Sequence, residues 1–369
     1  MSKKPSKQSK YATAGVDVEA VSSGLRHLLG WVEKTHNLRS ETGEYIAGSN
    51  FFASVIKISN QFSLAISTDG VGSKALVSQL AGSFEGIGYD CVAVNVNDVI
   101  CVGAEPLTLV DYISLQEPKV DLLAEIGKGL YDASVVAGIN IVGGELSMHP
   151  DSLYGPKPGY AFDISGTAVG ILENRNPIMG QNLAEGDVIL GIPSSGIHAN
   201  GFTLARDVLL NDDLPNKQSN NSNANSKWRR QILKELLVPT RIYVPEVKAL
   251  LENNIEVHGL AHISGDGLLN LSRLNADVDY IIDSLPPIPR IFDEIKEKGS
   301  VDFHEMFQVF NMGVGFCVIV PPEETLRALE VMNGISKGSQ KIGKVYKGNR
   351  EVSIESHNLV SKNGEFISC

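Results

Sequence analysis

Several features that mark whole classes of protein are scarce or absent in this sequence. It has four cysteines in 369 residues, and they form neither a C-x-x-C pair nor a zinc-finger spacing. This argues against a disulfide-stabilised scaffold and against a structural zinc site. Three of the cysteines, Cys91, Cys101 and Cys317, lie in or beside apolar runs, so we expect buried thiols in a reducing compartment.

Long apolar runs and an excess of basic charge are also missing. No apolar stretch is long enough to span a bilayer, and residues 1–10 carry four lysines without the apolar core of a signal peptide. The formal net charge of −11 disfavours a nucleic-acid surface, because such a surface needs a basic patch. We therefore predict a cytoplasmic protein that binds neither membranes nor nucleic acid, with a disordered basic tail over residues 1–10.

The common nucleotide-binding fingerprints are absent as well, but a related pattern is present. Residues 67–74 read Ser-Thr-Asp-Gly-Val-Gly-Ser-Lys and follow an apolar run that predicts a buried strand. Glycines let backbone N–H groups approach an anion closely. A carboxylate at Asp69 would repel phosphate unless a cation lay between them, so the stretch favours a metal-bound nucleotide. A glycine-rich hairpin turn is the simpler alternative.

A second acid lies in an apolar stretch that predicts a helix. Asn97 and Asp98 fall on the same helical face as Asp90, seven and eight positions earlier. Burying such groups costs several kcal/mol unless they are paired. The face is therefore either a satisfied polar pair, a surface turned to water, or a metal site at Asp98.

A third acid, Glu145, follows Gly143 and Gly144 directly after a predicted strand. A plain left-handed turn would explain the two glycines. Taken together, however, Asp69, Asp98 and Glu145 each place a carboxylate beside glycines or amides. Mg²⁺ takes one or two protein carboxylates and completes its shell with phosphate and water, so the set predicts Mg²⁺ on a triphosphate.

A polar loop over residues 193–201 lies between a predicted strand and a predicted helix. Its hydroxyls, its glycine and the helix N-terminus fit a phosphomonoester. His198 in this loop could orient the phosphate or move a proton, although a lone loop histidine is usually a surface residue. Two further stretches could contribute to this site: Thr240-Arg241 adds a cation, and the turn that begins at His262 adds another loop. Neither pattern by itself indicates a particular ligand.

The length predicts two domains. Predicted strands and helices alternate in both halves, which is typical of an α/β or α+β class. A composition break at residues 173–176 separates a predicted domain over 11–172 from another over 173–369. Residues 212–227 are rich in Asn and Ser and nearly free of apolar side chains, so they predict a flexible insertion.

Ten short blocks, in order along the chain, resemble the phosphoribosylformylglycinamidine cyclo-ligase family, the aminoimidazole ribonucleotide synthetases. The blocks are residues 14–17, 68–74, 96–98, 103–106, 111–112, 142–145, 194–201, 239–244, 261–262 and 311–316. The resemblance implies a homodimer whose N-terminal domains close a β-barrel near the ATP, and a C-terminal α/β domain. It also implies cyclisation of formylglycinamidine ribonucleotide to aminoimidazole ribonucleotide, with ATP and Mg²⁺ as cofactors and release of ADP and phosphate.

The resemblance assigns roles to residues of this sequence. It implies that Asp69, Asp98 and Glu145 bind metal, and that Asp69, Lys74, Asp98 and His198 are catalytic. The nucleotide would contact a set of loop and helix residues: Asp69, Gly70, Val71, Gly72, Ser73, Lys74, Asn97, Asp98, Gly143, Gly144 and Glu145. The substrate would contact residues of the later loops: Ser194, Ser195, Gly196, His198, Asn200, Thr240, Arg241 and His262.

Three alternatives stay open on the sequence alone, besides the amidotransferase of the preceding step, which is usually longer or works with partner subunits. Selenophosphate synthetases share the architecture but usually carry a cysteine or selenocysteine near the N-terminus, and no cysteine precedes Cys91 here. Thiamine-monophosphate kinases also share it, but residues 237–243 are not expected in them. The third alternative is a nucleotide-binding scaffold without turnover, and the presence of all three acids argues against it.

Overall fold

The computed structural model describes Lys10 and residues 18–210 and 226–369. The predicted tail over residues 1–10, apart from Lys10, and nearly all of the predicted insertion over residues 212–227 lie outside the described residues. Two β-sheets organise the described chain, one in each half, and strands alternate with helices in both. The predicted mixed α/β class is therefore confirmed. Among the described residues, no helix is both long enough and apolar enough to cross a membrane.

The first half builds its sheet from strands of mostly alternating burial and covers it with helices. It opens with helix α1 (Val18–Val32) and a 3-10 helix (Glu33–Leu38). The elements that follow are β1 (Tyr45–Ala47), β2 (Ser54–Lys57), β3 (Phe62–Gly70), α2 (Lys74–Ala81), α3 (Glu85–Ile100), β4 (Glu105–Leu115), α4 (Val120–Ala137), β5 (Asn140–Met148) and β6 (Phe162–Glu173).

The strand order of the first sheet is β1-β2-β3-β6-β4-β5. Neighbouring strands are antiparallel except for the parallel pair β4 and β5. The register aligns Gly166 of β6 with Asp69 of β3 on one side and with Asp111 of β4 on the other. Helix α3 packs against β3, β4 and β6, so one face of the sheet is covered.

Helices α3 and α4 cross closely because glycines face each other's backbones. A Cβ atom on Gly88 would lie 2.1 Å from the Ile126 carbonyl oxygen, and one on Gly129 would lie 1.8 Å from the Glu85 carbonyl oxygen. Real Cβ atoms do not approach so closely, so only glycine permits this crossing. The crossing sets how α3 lies on the sheet, and α3 carries Asp98.

The second half is a larger sheet with helices between its strands. Its elements are β7 (Val188–Pro193), α5 (Phe202–Leu209), α6 (Ser226–Leu236), α7 (Val244–Glu252), β8 (Gly259–His262), a 3-10 helix (Gly267–Arg273), β9 (Val278–Ile282), α8 (Arg290–Gly299), α9 (Phe303–Val309), β10 (Val314–Val320), a 3-10 turn (Pro322–Glu324), α10 (Thr325–Ile335), β11 (Gln340–Lys347), β12 (Val352–Ile354), a 3-10 turn (Glu355–His357), β13 (Leu359–Lys362) and β14 (Glu365–Ser368).

The strand order of the second sheet is β14-β13-β12-β9-β11-β7-β10-β8. Strand β10 is buried along its whole length, which explains its unbroken apolar sequence. It pairs with β7 on one side and with β8 on the other, so the ends of β7 and β8 lie on the two sides of one strand. The loop after β7 and His262 at the end of β8 are thereby brought near each other.

Candidate active site

Asp69 lies at the end of β3 and is tied to helix α3. Its N–H donates to Asn95 Oδ1 at 2.8 Å, and Asn95 Nδ2 donates back to the Asp69 carbonyl at 3.1 Å. Its own Oδ1 accepts from the Gly70 N–H at 2.7 Å. The side chain keeps a solvent-exposed edge, yet the surrounding protein and the nearby charge of Asp98 raise the pKa of Asp69.

Asp98 of α3 pairs with a histidine from the other half. His262 Nδ1 lies 2.8 Å from Asp98 Oδ1, and the His262 side chain is almost fully buried. The His262 N–H donates to Cys101 Sγ, which fixes the end of β8 against α3. His262 Nε2 is buried and has no hydrogen-bond partner. The pair therefore leaves a buried imidazole nitrogen without a partner beside a carboxylate that is partly exposed.

The carboxylates of Asp69 and Asp98, whose charges interact, fit Mg²⁺. Like charges held close together in a partly buried place are costly unless a cation lies between them. Mg²⁺ needs only one or two protein carboxylates when phosphate and water supply its other ligands. The described residues hold no group of three or more His, Cys, Asp or Glu side chains arranged to bind a metal by themselves. The chemistry therefore suits a metal that arrives with a phosphate ligand.

Glu145 does not join this pair within one chain, contrary to the prediction. The register pairs Glu145 with Tyr112, whereas Gly144 pairs with Asp111, which lies in line with Asp69. Glu145 is therefore about 14 Å from Asp69 across three strand spacings, and it points to the opposite face of the sheet. A site formed by Asp69, Asp98 and Glu145 of one chain is corrected to a pair.

The sheet brings a different acid, Asp111, to the face that Asp69 occupies. Both residues pair with Gly166, so their side chains point the same way about 10 Å apart. A Cβ on Gly144 would lie 2.7 Å from Asp111 Oδ1, so the glycine makes room for that carboxylate. Burial raises the pKa of Asp111. Asp111 lies in one of the ten blocks that resemble the cyclo-ligase family. Only the strand register shows that it lies on the same sheet face as Asp69.

Lys74 is not available to a phosphate in this structure, so its predicted catalytic role is also corrected. The side chain is fully buried, with Nζ 2.7 Å from Asp90 Oδ2 and 2.8 Å from the Val238 carbonyl oxygen. Asn97, predicted to contact the nucleotide, is likewise fully buried. Its amide binds backbone groups of Arg241 and Tyr243. Both side chains are structural because their polar atoms are already paired.

The glycine-rich loop itself remains open to a ligand. A Cβ on Gly72 would meet nothing within 4 Å; the same holds for Gly143, but Gly143 lies in β5 on the sheet face opposite Asp69. Gly72 has a φ of 62°, a left-handed conformation that glycine adopts freely. Val71 is buried in the core, so only its backbone is left for the nucleotide. The opening at Gly72 fits backbone contacts to phosphate.

The second loop is held by Asn311, which sequence reasoning did not single out as a site residue. Asn311 Nδ2 donates to the carbonyl oxygens of Gly196 and Ile197 at 2.8 and 3.2 Å, and its Oδ1 accepts from the Gly313 N–H. Ser194 Oγ in this loop is buried without a hydrogen-bond partner. Asn311 thus fixes the position of the loop, and the Ser194 hydroxyl of the loop has no hydrogen-bond partner.

His198 is a buried neutral imidazole in a strained conformation. Its φ of 67° is rare for a residue other than glycine, and such outliers often mark functional sites. Burial, and then the charges of His262, Lys74 and Arg241, lower the pKa of His198 well below its ordinary value. Its Nε2 accepts from the Ser195 N–H at 3.3 Å, whereas Nδ1 is buried without a partner.

The nucleotide loop and the second loop meet at the start of α5. Ser73 Oγ lies 3.5 Å from Thr203 Oγ1, in the first turn of that helix. Asn200 lies beside Gly265, so the turn after β8 borders the same place. The fold therefore collects the carboxylate pair, the glycine loop and the second loop in one region between the halves.

Thr240 and Arg241 are placed differently from the prediction. Thr240 is fully buried, and its N–H donates to Asp90 Oδ1. The Arg241 guanidinium pairs with Glu246, which is almost fully buried, and also contacts Ser336. Neither residue is brought to the loops as a free substrate ligand, because each is engaged by the protein.

The sequence is similar to known proteins along most of its length. The sequence matches the AIR synthase related protein N-terminal domain over residues 52–172 and the C-terminal domain over residues 184–355. The phosphoribosylformylglycinamidine cyclo-ligase of Pyrococcus horikoshii is 44% identical, covering 95% of this chain and 98% of that protein. The protein of the same name from Methanocaldococcus jannaschii is 41% identical, covering 91% of each.

Two kinds of solved structure share the fold at low identity. A HypE–HypF complex gives a TM-score of 0.59 at 21% identity, covering 81% of this chain and 88% of that one. The thiamine monophosphate kinase of Aquifex aeolicus gives 0.57 at 18% identity, covering 93% and 98%. Identity this low shows the fold alone, whereas the curated relatives are similar along nearly their whole length. The chain therefore belongs to the phosphoribosylformylglycinamidine cyclo-ligase family of AIR synthase related proteins.

Proposed function

We propose that this enzyme catalyses the ATP-dependent cyclisation of formylglycinamidine ribonucleotide to 5-aminoimidazole ribonucleotide, a step of purine biosynthesis. The observation that carries the proposal is the near full-length similarity to relatives named for this reaction. The arrangement of the site agrees with it, because a carboxylate pair and a glycine loop lie beside a second loop with free polar groups. Phosphoryl transfer needs positioning and charge stabilisation more than a protein nucleophile.

The reaction has two steps whose atoms balance. The amide oxygen of the substrate attacks the γ-phosphorus of ATP, ADP leaves, and the amide nitrogen gives up its proton, which leaves an imidate phosphate. The amidine nitrogen then attacks the imidate carbon, the ring closes, and inorganic phosphate leaves with the former amide oxygen. The nitrogen loses one proton in the second step, so the site needs a proton acceptor.

The carboxylates of Asp69 and Asp98 would hold Mg²⁺ with the triphosphate. A bound Mg²⁺ would neutralise charge on the phosphates and stabilise the transferring group. Backbone N–H groups of residues 70–73 would contact the phosphate oxygens. His262 Nε2, unpartnered while Nδ1 faces Asp98, is an acceptor suited to take the amidine proton.

The loop over residues 194–201 would hold the 5′-phosphate of the ribonucleotide. Because His198 is neutral and its Nε2 accepts a hydrogen bond, its proton is on Nδ1, which is free to donate. The unpartnered Ser194 hydroxyl is a second donor. Both groups would gain a partner from a phosphate oxygen, which offsets the cost of their burial.

The functional unit that we propose is a homodimer. The uncovered face of β4 and β5 exposes large apolar side chains: Leu107, Val110, Tyr112 and Val142. A continuous apolar patch of this kind on one face indicates an interaction site. A second copy would cover it and complete a barrel from two sheets. Glu145 points to this face, so its predicted metal role would require the partner.

We also propose a role for each domain and a cellular compartment for the enzyme. Residues 11–172 would form the nucleotide-binding and dimerisation domain, and residues 173–369 the substrate-phosphate domain. Cys91, Cys101 and Cys317 are buried and free, which fits a reducing compartment, so we place the enzyme in the cytoplasm.

A coupled ADP-release assay across candidate substrates tests the function. We expect ADP only when formylglycinamidine ribonucleotide is present, with aminoimidazole ribonucleotide formed in equal amount. ADP release with thiamine monophosphate would instead indicate a kinase. ATP binding without ADP release on either compound would indicate a nucleotide-binding scaffold and would contradict the proposal.

A further inference from the structure

The chain between helices α6 and α7 is buried or half-buried at every residue. Residues 237–243, called the strap below, form no helix and pair with neither sheet. The sequence pattern predicts a helix through this region apart from its prolines, but α6 ends at Leu236 and the strap contains Pro239. Buried backbone groups need hydrogen-bond partners, so the groups that supply them fix the position of the strap.

Two charged residues of the first half hold the start of the strap. Lys74 Nζ donates to the Val238 carbonyl at 2.8 Å, and the Thr240 N–H donates to Asp90 Oδ1 at 2.7 Å. Lys74 and Asp90 also form an ion pair at 2.7 Å in which both side chains are fully buried. Removing one partner of a buried ion pair strongly destabilises a protein. We therefore expect this attachment of the strap to stay intact in the folded enzyme.

Asn97 holds the end of the strap in the same way. Its Nδ2 donates to the Arg241 carbonyl at 2.8 Å, and its Oδ1 accepts from the Tyr243 N–H at 2.9 Å. Asp90 and Asn97 lie seven residues apart on α3, so they occupy one helical face. Side chains on this face of α3 therefore supply hydrogen-bond partners to the backbone of the strap, as a neighbouring strand would.

Other groups of the strap hold the second loop. Ser195 Oγ donates to the Pro239 carbonyl at 2.6 Å. Arg241 Nη1 and Tyr243 Oη both donate to the Pro193 carbonyl, at 3.1 and 3.2 Å. The strap thus joins α2 and α3, next to the nucleotide loop, to the loop that we assign to the substrate phosphate.

We infer that the strap positions the two loops relative to each other, with Lys74, Asp90 and Tyr243 as positioning residues. The inference rests on the proposed function. The reacting oxygen and phosphorus atoms must come within about 3.5 Å, and a displacement of about 1 Å can lower the rate roughly a hundredfold. ATP and the ribonucleotide would be held by different halves, so their separation depends on what joins the halves. The strap is bonded to both.

The test compares kcat with the two binding constants. The double variant Lys74→Met/Asp90→Asn removes the buried charges together, keeps an acceptor for Thr240 and cuts the bond to Val238. We expect kcat to fall about tenfold or more, whereas Kd for a non-hydrolysable ATP analogue and for formylglycinamidine ribonucleotide stays within about threefold. Tyr243→Phe removes only the hydroxyl that meets Pro193, and a fall in kcat of about threefold is expected.

The matched control is Lys248→Met. Lys248 and Glu105 form an exposed ion pair at 2.7 Å that also joins the two halves, but it does not touch the strap. We expect kcat and both Kd values of this variant to equal those of the unmodified enzyme. A loss equal to that of the strap variants would show that any contact between the halves suffices, and it would overturn the inference.

The remaining outcomes also decide the matter. Unchanged kcat in Tyr243→Phe and in the double variant overturns the inference, and Tyr243→Phe decides alone if the double variant does not fold. Nucleotide binding weakened tenfold in the double variant would place Lys74 on the phosphates instead. If the unmodified enzyme releases no ADP, the proposed function fails. Hydrogen exchange then tests the strap, since the amides of residues 194–198 must exchange faster in the strap variants than in Lys248→Met.

Discussion

Asp98 is the residue at which the nucleotide half meets the second half. Its carboxylate faces Asp69 and also holds His262 Nδ1 at 2.8 Å. A cation between the two acids would relieve their repulsion, and the histidine would be oriented at the same time. In the proposed function, this one side chain would serve both metal binding and orientation of a proton acceptor.

Asp98→Asn tests that double role. The amide oxygen can still accept from His262, so we expect a folded protein that has lost one metal ligand. Turnover should fall roughly a hundredfold or more, because a metal supplies several kcal/mol of charge stabilisation. A steady-state assay over a range of Mg²⁺ concentrations measures the effect. Asp132→Asn, at a partly exposed residue of α4, is the control. Unmodified rates in Asp98→Asn would remove Asp98 from the site.

His258 shows how a charge far from the loops affects stability. Its Nδ1 lies 2.7 Å from Asp187 and its Nε2 lies 3.1 Å from Glu256. Burial alone would lower the pKa of His258, but the hydrogen bonds and charges of the two acids outweigh burial and raise it. The protonated ring is therefore better stabilised in the folded protein than in the unfolded chain.

The sign of the pH dependence follows from this raised pKa. The contribution of His258 to the free energy of unfolding is fully present below the unfolded pKa of about 6.5, and it is lost as the pH rises through the folded pKa. We expect His258→Gln to destabilise the protein more at pH 5.5 than at pH 9, in urea unfolding at both values. The exposed His304→Gln is the control, and an equal effect at both pH values would contradict the assignment.

Helix α3 is the element that connects most of the site. Asn95 ties it to β3, Asp98 faces the ligand region, and Asp90 and Asn97 hold the strap. On the predicted polar face of this apolar helix, Asp90 and Asn97 are satisfied core groups, whereas the metal role of Asp98 stays a prediction. The position of α3 matters for all of them.

The glycine crossing of α3 and α4 gives a matched pair of variants. Gly129→Ala would force a methyl group against the Glu85 carbonyl, whereas Gly127→Ala on the same helix meets nothing within 4 Å. We expect Gly129→Ala to lower the free energy of unfolding by about 1–3 kcal/mol. Gly127→Ala should raise it by up to about 1 kcal/mol, since alanine favours helix. Chemical denaturation measures both, and equal effects would contradict the close crossing.

At the scale of the whole molecule, the uncovered sheet face has the character of an interface. Val142 exposes 67% of its side chain and Val110 exposes 42%, although both belong to regular strands. Helix α1 also exposes apolar residues, with Trp31 at 72%. A single chain leaves these surfaces in water, and the proposed dimer would bury the sheet face.

Val142→Glu tests the dimer. A carboxylate without a partner at a buried interface is costly, so we expect the variant to sediment as a monomer with its fold intact. Sedimentation velocity at several protein concentrations provides the measurement. Leu326→Glu, at a residue 76% exposed on α10, is the control and should leave association unchanged. Equal association of Val142→Glu and the unmodified protein would argue against this face as the interface.

The sequence by itself determined the local features of this protein. The alternation of apolar residues fixed most strands and helices, and the glycines and acids of residues 67–74 marked a loop because glycine conformations are local. The second loop and the helical face of Asp90, Asn97 and Asp98 followed from periodicity in the same way. These features depend on residues that are neighbours in the chain.

The tertiary structure decided which polar groups are free. The sequence around Lys74 is typical of a phosphate ligand, but the side chain is buried in an ion pair with Asp90. Asp90 also accepts a hydrogen bond from the N–H of Thr240, which lies 150 residues away in the chain. Glu145 follows two glycines as the nucleotide pattern requires, but the register of β5 turns it to the other face of the sheet. Whether a charge can meet a ligand depends on strand register and on partners distant in sequence, and neither is encoded in a local motif.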